Sequence, residues 1–422
     1  MSQVREGYKQ TKVGVIPLDW DVVKLNDIAT FYKGKGISKN DISTDGIECI
    51  RYGELYTKYN EKIEKILSKT NLTKNKLFLS KKNDILIPSS GETAIDLATA
   101  SCILKDDVGL GGDINIIRSA QSGVYLSYYL NVIAKTKIAN LAQGKSVIHL
   151  YSSHLKSLKI NLPPLIEQEK IAEILTTWDS AISKQEELVK VRQENKKGLM
   201  QKLLSGEIRF DGFDGEWKSV KVGDAFDFIK TYSNPRSDLS DIGDIEYLHY
   251  GDIHTKYKYH LDLEQNTLPK ISIDKFKSNI EYVQDGDLLM ADASEDYADI
   301  GKSAEVLNIK NKKVVSGLHT HLLRDNNTNF ANGYKGLIFY NQYVSKEVKK
   351  IATGISVLGI SKTNLSKLQI PLPPLPEQEK IAEFLTLSEQ KIKLLKIELA
   401  ELKEQKKALM QKLLTGEVRV TI

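Results

Sequence analysis

Few side chains in this 422-residue chain stand at spacings that suit catalysis or metal binding. His319-Thr320-His321 offers two imidazoles, but no cysteine lies nearby and the four-ligand spacings of a zinc site are missing. Asp292, Glu295 and Asp296 form an acidic cluster of the kind that holds Mg²⁺ for phosphodiester cleavage. No GxxxxGK[ST] loop is present to cradle a triphosphate. Asn234-Pro235-Arg236 lacks the second proline and the aromatic residue of amino-methylating motifs, and no glycine-rich cofactor loop precedes it. What remains is recognition chemistry: polar, basic and aromatic side chains in short loops, the types that read base edges and hold phosphates.

Such side chains need a frame, and the frame occurs twice. Leu162 to Lys170 read LPPLIEQEK, and Leu372 to Lys380 read LPPLPEQEK. Leu199 to Glu207 read LMQKLLSGE, and Leu409 to Glu417 read LMQKLLTGE. The offset is about 210 residues at both ends, with no gap between. Weaker echoes precede each copy: Asp19-Trp20 against Glu216-Trp217, Ile50–Tyr59 against Leu248–Tyr257, Asp84–Ile87 against Asp287–Met290, and Gly111–Arg118 against Gly317–Arg324. The chain is therefore read as two copies of one unit. The expected boundaries are 1–161 and 211–371 for two globular domains, and 162–210 and 372–422 for two helical regions.

The candidate contact residues lie where the copies diverge. Lys33, Lys35, Ser38 and Lys39 face Tyr232, Asn234 and Arg236. Ser89, Ser90, Glu92 and Thr93 face Asp292, Ser294 and Glu295, so the acidic cluster is not shared by the first copy. Asp113 and Asn115 face His319 and His321, and Lys145 and Ser146 face Ser356. Arg51, Tyr52, Tyr56, Lys58 and Tyr59 interleave aromatics with cations, as do Tyr250, His254, Lys256 and Tyr257. For the segment from Arg51 to Tyr59, a structural strand-turn shared by both copies is the stronger reading. A common frame with divergent polar tips suits two readers of different base sequences: Arg and Lys for guanine, Asn and Gln for adenine, carboxylates for cytosine.

The helical regions carry a heptad seam. In the first it runs Ile171, Leu175, Trp178, Ile182, Gln185, Val189, Arg192, Lys196, Leu199 and Leu203; the second runs from Ile381 to Leu413. Pro163-Pro164 precede the first helix and Gly206 follows it, with Gly416 repeating the stop. Two helices of about 39 residues, each about 58 Å long, are expected to pair as an antiparallel coiled coil between the globular regions, related by a pseudo-two-fold axis. The globular regions read as mixed α/β (α+β), with strands at Ile85–Ile87 and Ile114–Ile117 and helices over Val124–Lys137 and Gly336–Lys350.

The net charge is +5, a mild bias that permits nucleic acid as a partner. It is uneven: residues 1–161 carry about +7 and residues 211–371 about −3. Cys49 and Cys102 are read as reduced core residues, which with no apolar leader and no apolar run of membrane-spanning length suggests the cytoplasm.

The LPPLxEQEKIA and LMQKLLxGE segments, twice in this order, resemble the two conserved helical regions of type I restriction-modification specificity subunits. The resemblance covers essentially the whole chain. It implies a DNA-recognition subunit that does no chemistry itself, binding a bipartite double-stranded DNA site with one half-site per recognition domain and a spacer set by the helix pair. It implies two methyltransferase subunits as partners, bringing S-adenosylmethionine and adenine methylation, and two restriction-translocase subunits bringing ATP and Mg²⁺ chemistry. The resemblance fixes no base-contact residue. The other readings are a stand-alone methyltransferase or nuclease, for which no catalytic motif is found, and a coiled-coil scaffold without a DNA role.

Overall fold

The computed structural model describes residues 5–144, 147–277 and 279–421, which form two compact units. One comprises residues 1–186 with 397–422, the other residues 187–396. Each contains one globular α/β region and about half of each long helix.

The globular regions share a five-stranded sheet. In the first unit its order is Ala29–Lys33, Ile114–Ser119, Asp84–Pro88, Ser101–Ile103 and Lys62–Ile63. In the second it is Phe226–Ile229, Thr320–Asp325, Leu288–Ala291, Ser303–Leu307 and Tyr259–Asp262. Neighbours are antiparallel except the last pair, which is parallel in both. The central strands are buried at every position, so they read as continuous apolar runs rather than alternating ones. Each sheet is pinned by a bidentate pair on matched frame residues. Arg118 clasps Asp84 (Nε–Oδ1 2.7 Å, Nη2–Oδ2 2.7 Å), and Arg324 clasps Asp287 (2.9 and 2.7 Å). The copies diverge in a second sheet, five-stranded in the first unit and three-stranded in the second.

The expected helix over Val124–Lys137 divides into Gly123–Val132 and Lys135–Leu141. The Tyr129 carbonyl accepts from both Ile133 and Ala134 N–H groups, which ends the regular ladder. The run over Gly336–Lys350 likewise divides. Asn341 sits inside it as an N-cap, its Oδ1 accepting from Tyr343 N–H (2.8 Å) and Val344 N–H (3.3 Å), and the helix proper is Gln342–Ile351.

The long helices span Leu165–Ser205 and Leu375–Thr415, 41 residues each and about 60 Å long. Within each unit their segments run antiparallel. In the first unit Asp179 pairs with Lys406, Gln185 Nε2 donates to Glu398 (2.8 Å) and Glu186 pairs with Lys403 (2.6 Å). In the second, Lys196 pairs with Glu389. Asp179–Lys406 and Glu389–Lys196 are the same pair in the two copies. The seam holds from Ile171 to Val189 and again at Leu203, but Arg192 and Leu199 are exposed and Met200 and Leu204 are buried instead. A nearly straight helix turns every 3.6 residues, so a 3.5-residue seam drifts about 20° per heptad off its face.

Both helices stop at a glycine in the left-handed region, Gly206 (φ +73°) and Gly416 (φ +75°). A Cβ at either would also meet an aromatic of its own unit: Trp217 at 3.5 Å for Gly206, and Trp20 at 3.3 Å for Gly416. Those tryptophans belong to a lock that ties each helix head to the tail of the other. In the first unit the buried Glu167 accepts from Trp20 Nε1 (2.9 Å) and from Arg419 (Nε 2.7 Å, Nη2 2.9 Å), and Arg419 also clasps Asp19. In the second, Glu377 accepts from Trp217 Nε1 (2.8 Å) and from the Arg209 fork (Nη2 2.7 Å). The glutamine that follows ties the helix head to its own globular region. Gln168 Nε2 donates to Pro163 O (2.8 Å) and Gln121 (2.7 Å), and Gln378 Nε2 donates to Pro373 O (2.8 Å) and Asn329 O (3.0 Å). The repeated Glu-Gln pair is thus a framework device.

Candidate nucleic-acid interface

In the first unit three segments converge on an open cleft of about 830 Å³: residues 36–41, residues 51–58 and residues 111–113. Gly34 makes the approach possible, because its backbone passes so close to Gly111 that a Cβ would lie 2.0 Å from the Gly111 oxygen. Tyr52–Thr57 is a short six-residue helix whose entry is fixed by Glu54, a buried carboxylate that accepts from the Arg51 N–H (3.0 Å), Lys58 Nζ (3.2 Å) and the Ser68 hydroxyl. The helix presents Arg51, Tyr52, Tyr56 and Lys58 to the cleft, with Ser38 and Lys39 opposite. The Arg51 Nε is buried without a partner among the described residues, so a donor is held ready with nothing to accept from it.

The other candidates of this unit divide. Lys33 lies on the edge strand opposite Asn115, and Lys35 reaches Asn75 O (3.4 Å). Ser38 spends its hydroxyl on Asp41, which the hydroxyl and the Ser38 N–H hold below the usual carboxylate range. The Tyr59 hydroxyl accepts from Leu67 N–H (3.0 Å), a structural use. Ser89 and Ser90 are buried, Ser90 within a two-stranded ladder to His149. Thr93 caps a short helix by accepting from Asp96 N–H (3.2 Å), and Glu92 is exposed. Lys145 and Ser146 lie outside the described residues.

In the second unit the matching segments bring together Arg236, Tyr250, His254, Lys256, Asp292 and His319. Arg236 and Lys256 both pair with the buried Asp252 (3.3 and 3.1 Å), the counterpart of Glu54. Tyr250 meets His254 and His319 edge-on (centroids 5.8 and 5.4 Å), and His319 Nδ1 lies 3.3 Å from Asp292. His249 stands where the first copy has Arg51, and burial, then the Arg236 guanidinium, hold its imidazole below the usual range. The remaining candidates are structural or apart. The Tyr232 hydroxyl accepts from Glu281 N–H (2.7 Å), the Asn234 carbonyl accepts from the Tyr247 hydroxyl (3.0 Å), and Tyr257 is buried. Ser294 closes a turn onto Asp296, and His321 bonds Ile360 O (2.8 Å). Glu295 and Ser356 are exposed. His319 and His321 thus serve different partners. Among the described residues no three His, Cys, Asp or Glu side chains converge as a metal site would require.

Sequence reading passed over the buried Glu54 and Asp252, which aim the cations of each cluster. Their matched position in the 50–59 and 248–257 segments was the available signal. Both cysteines are buried and free, and burial pushes the Cys49 thiol up to about 11 and Cys102 to about 12, so neither is poised as a nucleophile. No helix among the described residues is long and apolar enough to cross a membrane.

Residues 17–192 and 214–407 each match the sequence profile described as the type I restriction modification DNA specificity domain. The chain is 26% identical to the type I restriction enzyme MjaVIII specificity subunit of Methanocaldococcus jannaschii, over 98% of this chain and 96% of that one. It is 19% identical to the EcoKI specificity subunit of Escherichia coli K12, over 87% and 82%. Among solved structures, the S subunit of a type I restriction-modification system from M. genitalium superposes with a TM-score of 0.54 at 15% identity, covering 96% of this chain and 97% of that one. At that identity the likeness concerns the fold.

Proposed function

This chain belongs to the type I restriction-modification DNA specificity family, with two copies of the family's domain, and we propose that each copy reads one half of a bipartite duplex site through the cleft described above. One observation carries this. The same three segments converge in both units on the same buried carboxylate, Glu54 or Asp252, while the side chains they present differ: Arg51, Tyr56 and Asp113 in one, His249, His254 and His319 in the other. Shared geometry with different donors and acceptors is what reading two base sequences requires.

The long helices set the spacing of the half-sites and seat the partners. Leu387 and Leu394, one heptad apart on the second long helix, are 56% and 66% exposed and offer an apolar stripe to a partner helix. Two methyltransferase subunits bring S-adenosylmethionine and the methylating chemistry, and two restriction-translocase subunits bring ATP and Mg²⁺; this chain supplies the address.

Arg51 gives the sharpest test. Arg51→Ala is expected to cost about 1–3 kcal/mol of discrimination, or about fivefold to 150-fold, at a single base pair of one half-site. The other half-site keeps its sequence. Binding of randomised duplexes to the chain with its methyltransferase, read by selection and sequencing, measures this. Relaxation in both half-sites, or in neither, contradicts the placement of the cleft.

A further inference from the structure

The C-terminal globular segment is net acidic, yet one face of its unit is strongly basic. Two open cavities of about 770 and 700 Å³ adjoin there, sharing Lys197, Gln201 and Tyr340. Six lysines line them without a carboxylate partner among the described residues: Lys197, Lys258, Lys346, Lys349, Lys393 and Lys396. Glu389 is the single carboxylate in the lining, and it is already paired with Lys196. Lys258 lies over the Tyr259 and Tyr340 rings (4.8 and 5.9 Å) and Lys349 over Tyr297 (5.7 Å), so aromatic faces hold part of this charge in place.

The first copy keeps only part of this charge, with Lys407 matching Lys197 and Lys135 standing where the second copy has Ser345. At the positions matching Lys258, Lys346, Lys349, Lys393 and Lys396 it has Asn60, Thr136, Ala139, Ser183 and Glu186, and Glu186 is itself paired with Lys403. A scaffold role would call for the same residues in both copies, because the helix locks and the sheet clasps are the same in both. The basic face is therefore an addition to the unit whose net charge repels a polyanion. It also runs into the reading cluster, since Lys256 belongs to both.

We propose that this trough is a second, sequence-independent DNA contact of the C-terminal unit, holding the phosphate backbone of duplex next to its half-site. The proposal rests on the DNA-reading function above. Phosphate contacts add affinity and register without reading bases, and each neutralised phosphate steepens the salt dependence of binding by about 0.9 in log–log slope. The acidic reader gains its hold on DNA locally, where the first reader has a net positive field.

The test is binding of the full chain, co-purified with its methyltransferase subunit, to a nonspecific 40-base-pair duplex by fluorescence anisotropy across a NaCl series. Lys258→Gln, Lys349→Gln, Lys393→Gln and Lys396→Gln together are expected to lower the slope by about 3–4 and to weaken binding at least tenfold at physiological salt. A control with Lys221, Lys277, Lys310 and Lys313 changed to Gln, all exposed in the same unit, is expected to move the slope by less than about 1. The pair Lys393→Gln and Lys396→Gln, both on an exposed helix surface, is expected to lower it by about 2, and covers the case in which the fourfold variant does not fold. Equal losses in trough and control variants would mean a general field and overturn the proposal. So would an unchanged slope accompanied by loss of a co-purified methyltransferase subunit, which would mark the trough as a seat for an acidic protein segment. If the unaltered chain binds duplex with a steep slope but without sequence preference, the reading function fails while the trough stands. If it binds no duplex, both fail.

Discussion

Glu377→Ala is expected to destabilise the second unit by about 3 kcal/mol. Glu377 is 1% exposed in its side chain and accepts from both the Arg209 fork and the Trp217 indole. Its removal leaves a guanidinium and an indole N–H without their acceptor, and breaking a buried pair from one side costs about 3–5 kcal/mol. Arg209 keeps some solvent access and a bond to Gly215 O (3.0 Å), which places the loss at the lower end. Glu377→Gln keeps an acceptor for Trp217 and is expected to cost about 1–2 kcal/mol. Urea denaturation of the purified chain measures both, and a double-mutant cycle with Arg209→Ala is expected to return a coupling of about 2 kcal/mol. A loss below about 0.5 kcal/mol in Glu377→Ala would show that the lock is ornamental and that the seam alone holds the helix head.

Lengthening one long helix is expected to abolish DNA methylation, while lengthening both by the same amount alters only the spacer. Within each unit every inter-helix pair obeys one antiparallel register: Asp179–Lys406 and Arg419–Glu167 in the first, Lys196–Glu389 and Arg209–Glu377 in the second. Seven residues inserted after Glu186 add about 10 Å to the first helix alone. The set in one unit can then be made only by breaking the set in the other. Seven residues inserted after both Glu186 and Lys396, where the contact units meet, leave every pair intact and nearly preserve the buried face, since a heptad misses two full turns by about 20°. Both half-sites are then expected to persist while the spacer grows by as much as about 3 base pairs at about 3.4 Å per step. Sequencing of methylated sites in a host carrying each variant reads the outcome. An unchanged spacer in the doubly lengthened chain would count against the helices as the measure of half-site distance.

The parts legible in the sequence are those that repeat. The helix entries at Pro163 and Pro373, the glycine stops and the Asp84–Arg118 and Asp287–Arg324 clasps all fall on residues matched between copies, and the seam from Ile171 to Val189 announces itself by period. The helix interruption at Ile133–Ala134 was not legible. Nothing in VYLSYYLNVIAKTK breaks an apolar helical pattern, and the break arises from a carbonyl shared in the folded chain. The cap at Asn341 lies inside an amphipathic run, where its sequence looks like one more polar helical position. The candidate contacts were legible as segments and not as residues. Tyr52, Tyr56, Lys58 and Arg236 reach a cluster, whereas Tyr59, Tyr232 and His321 spend their polar atoms on backbone groups. A loop sequence shows which side chains are polar, but which of them are already satisfied is settled only by packing. The lock between Trp20, Glu167 and Arg419 lay in matched residues that only the fold brings together, from positions up to 400 apart.

Two separate readers sitting on one repeated frame should be exchangeable one at a time. Exchange of residues 1–161 for the matching segment of a divergent relative, followed by sequencing of methylated sites in the host genome, tests it most directly. One half of the methylated motif is expected to change while the other half and the spacer stay. A change in both halves, or methylation that no longer depends on this gene, would contradict it.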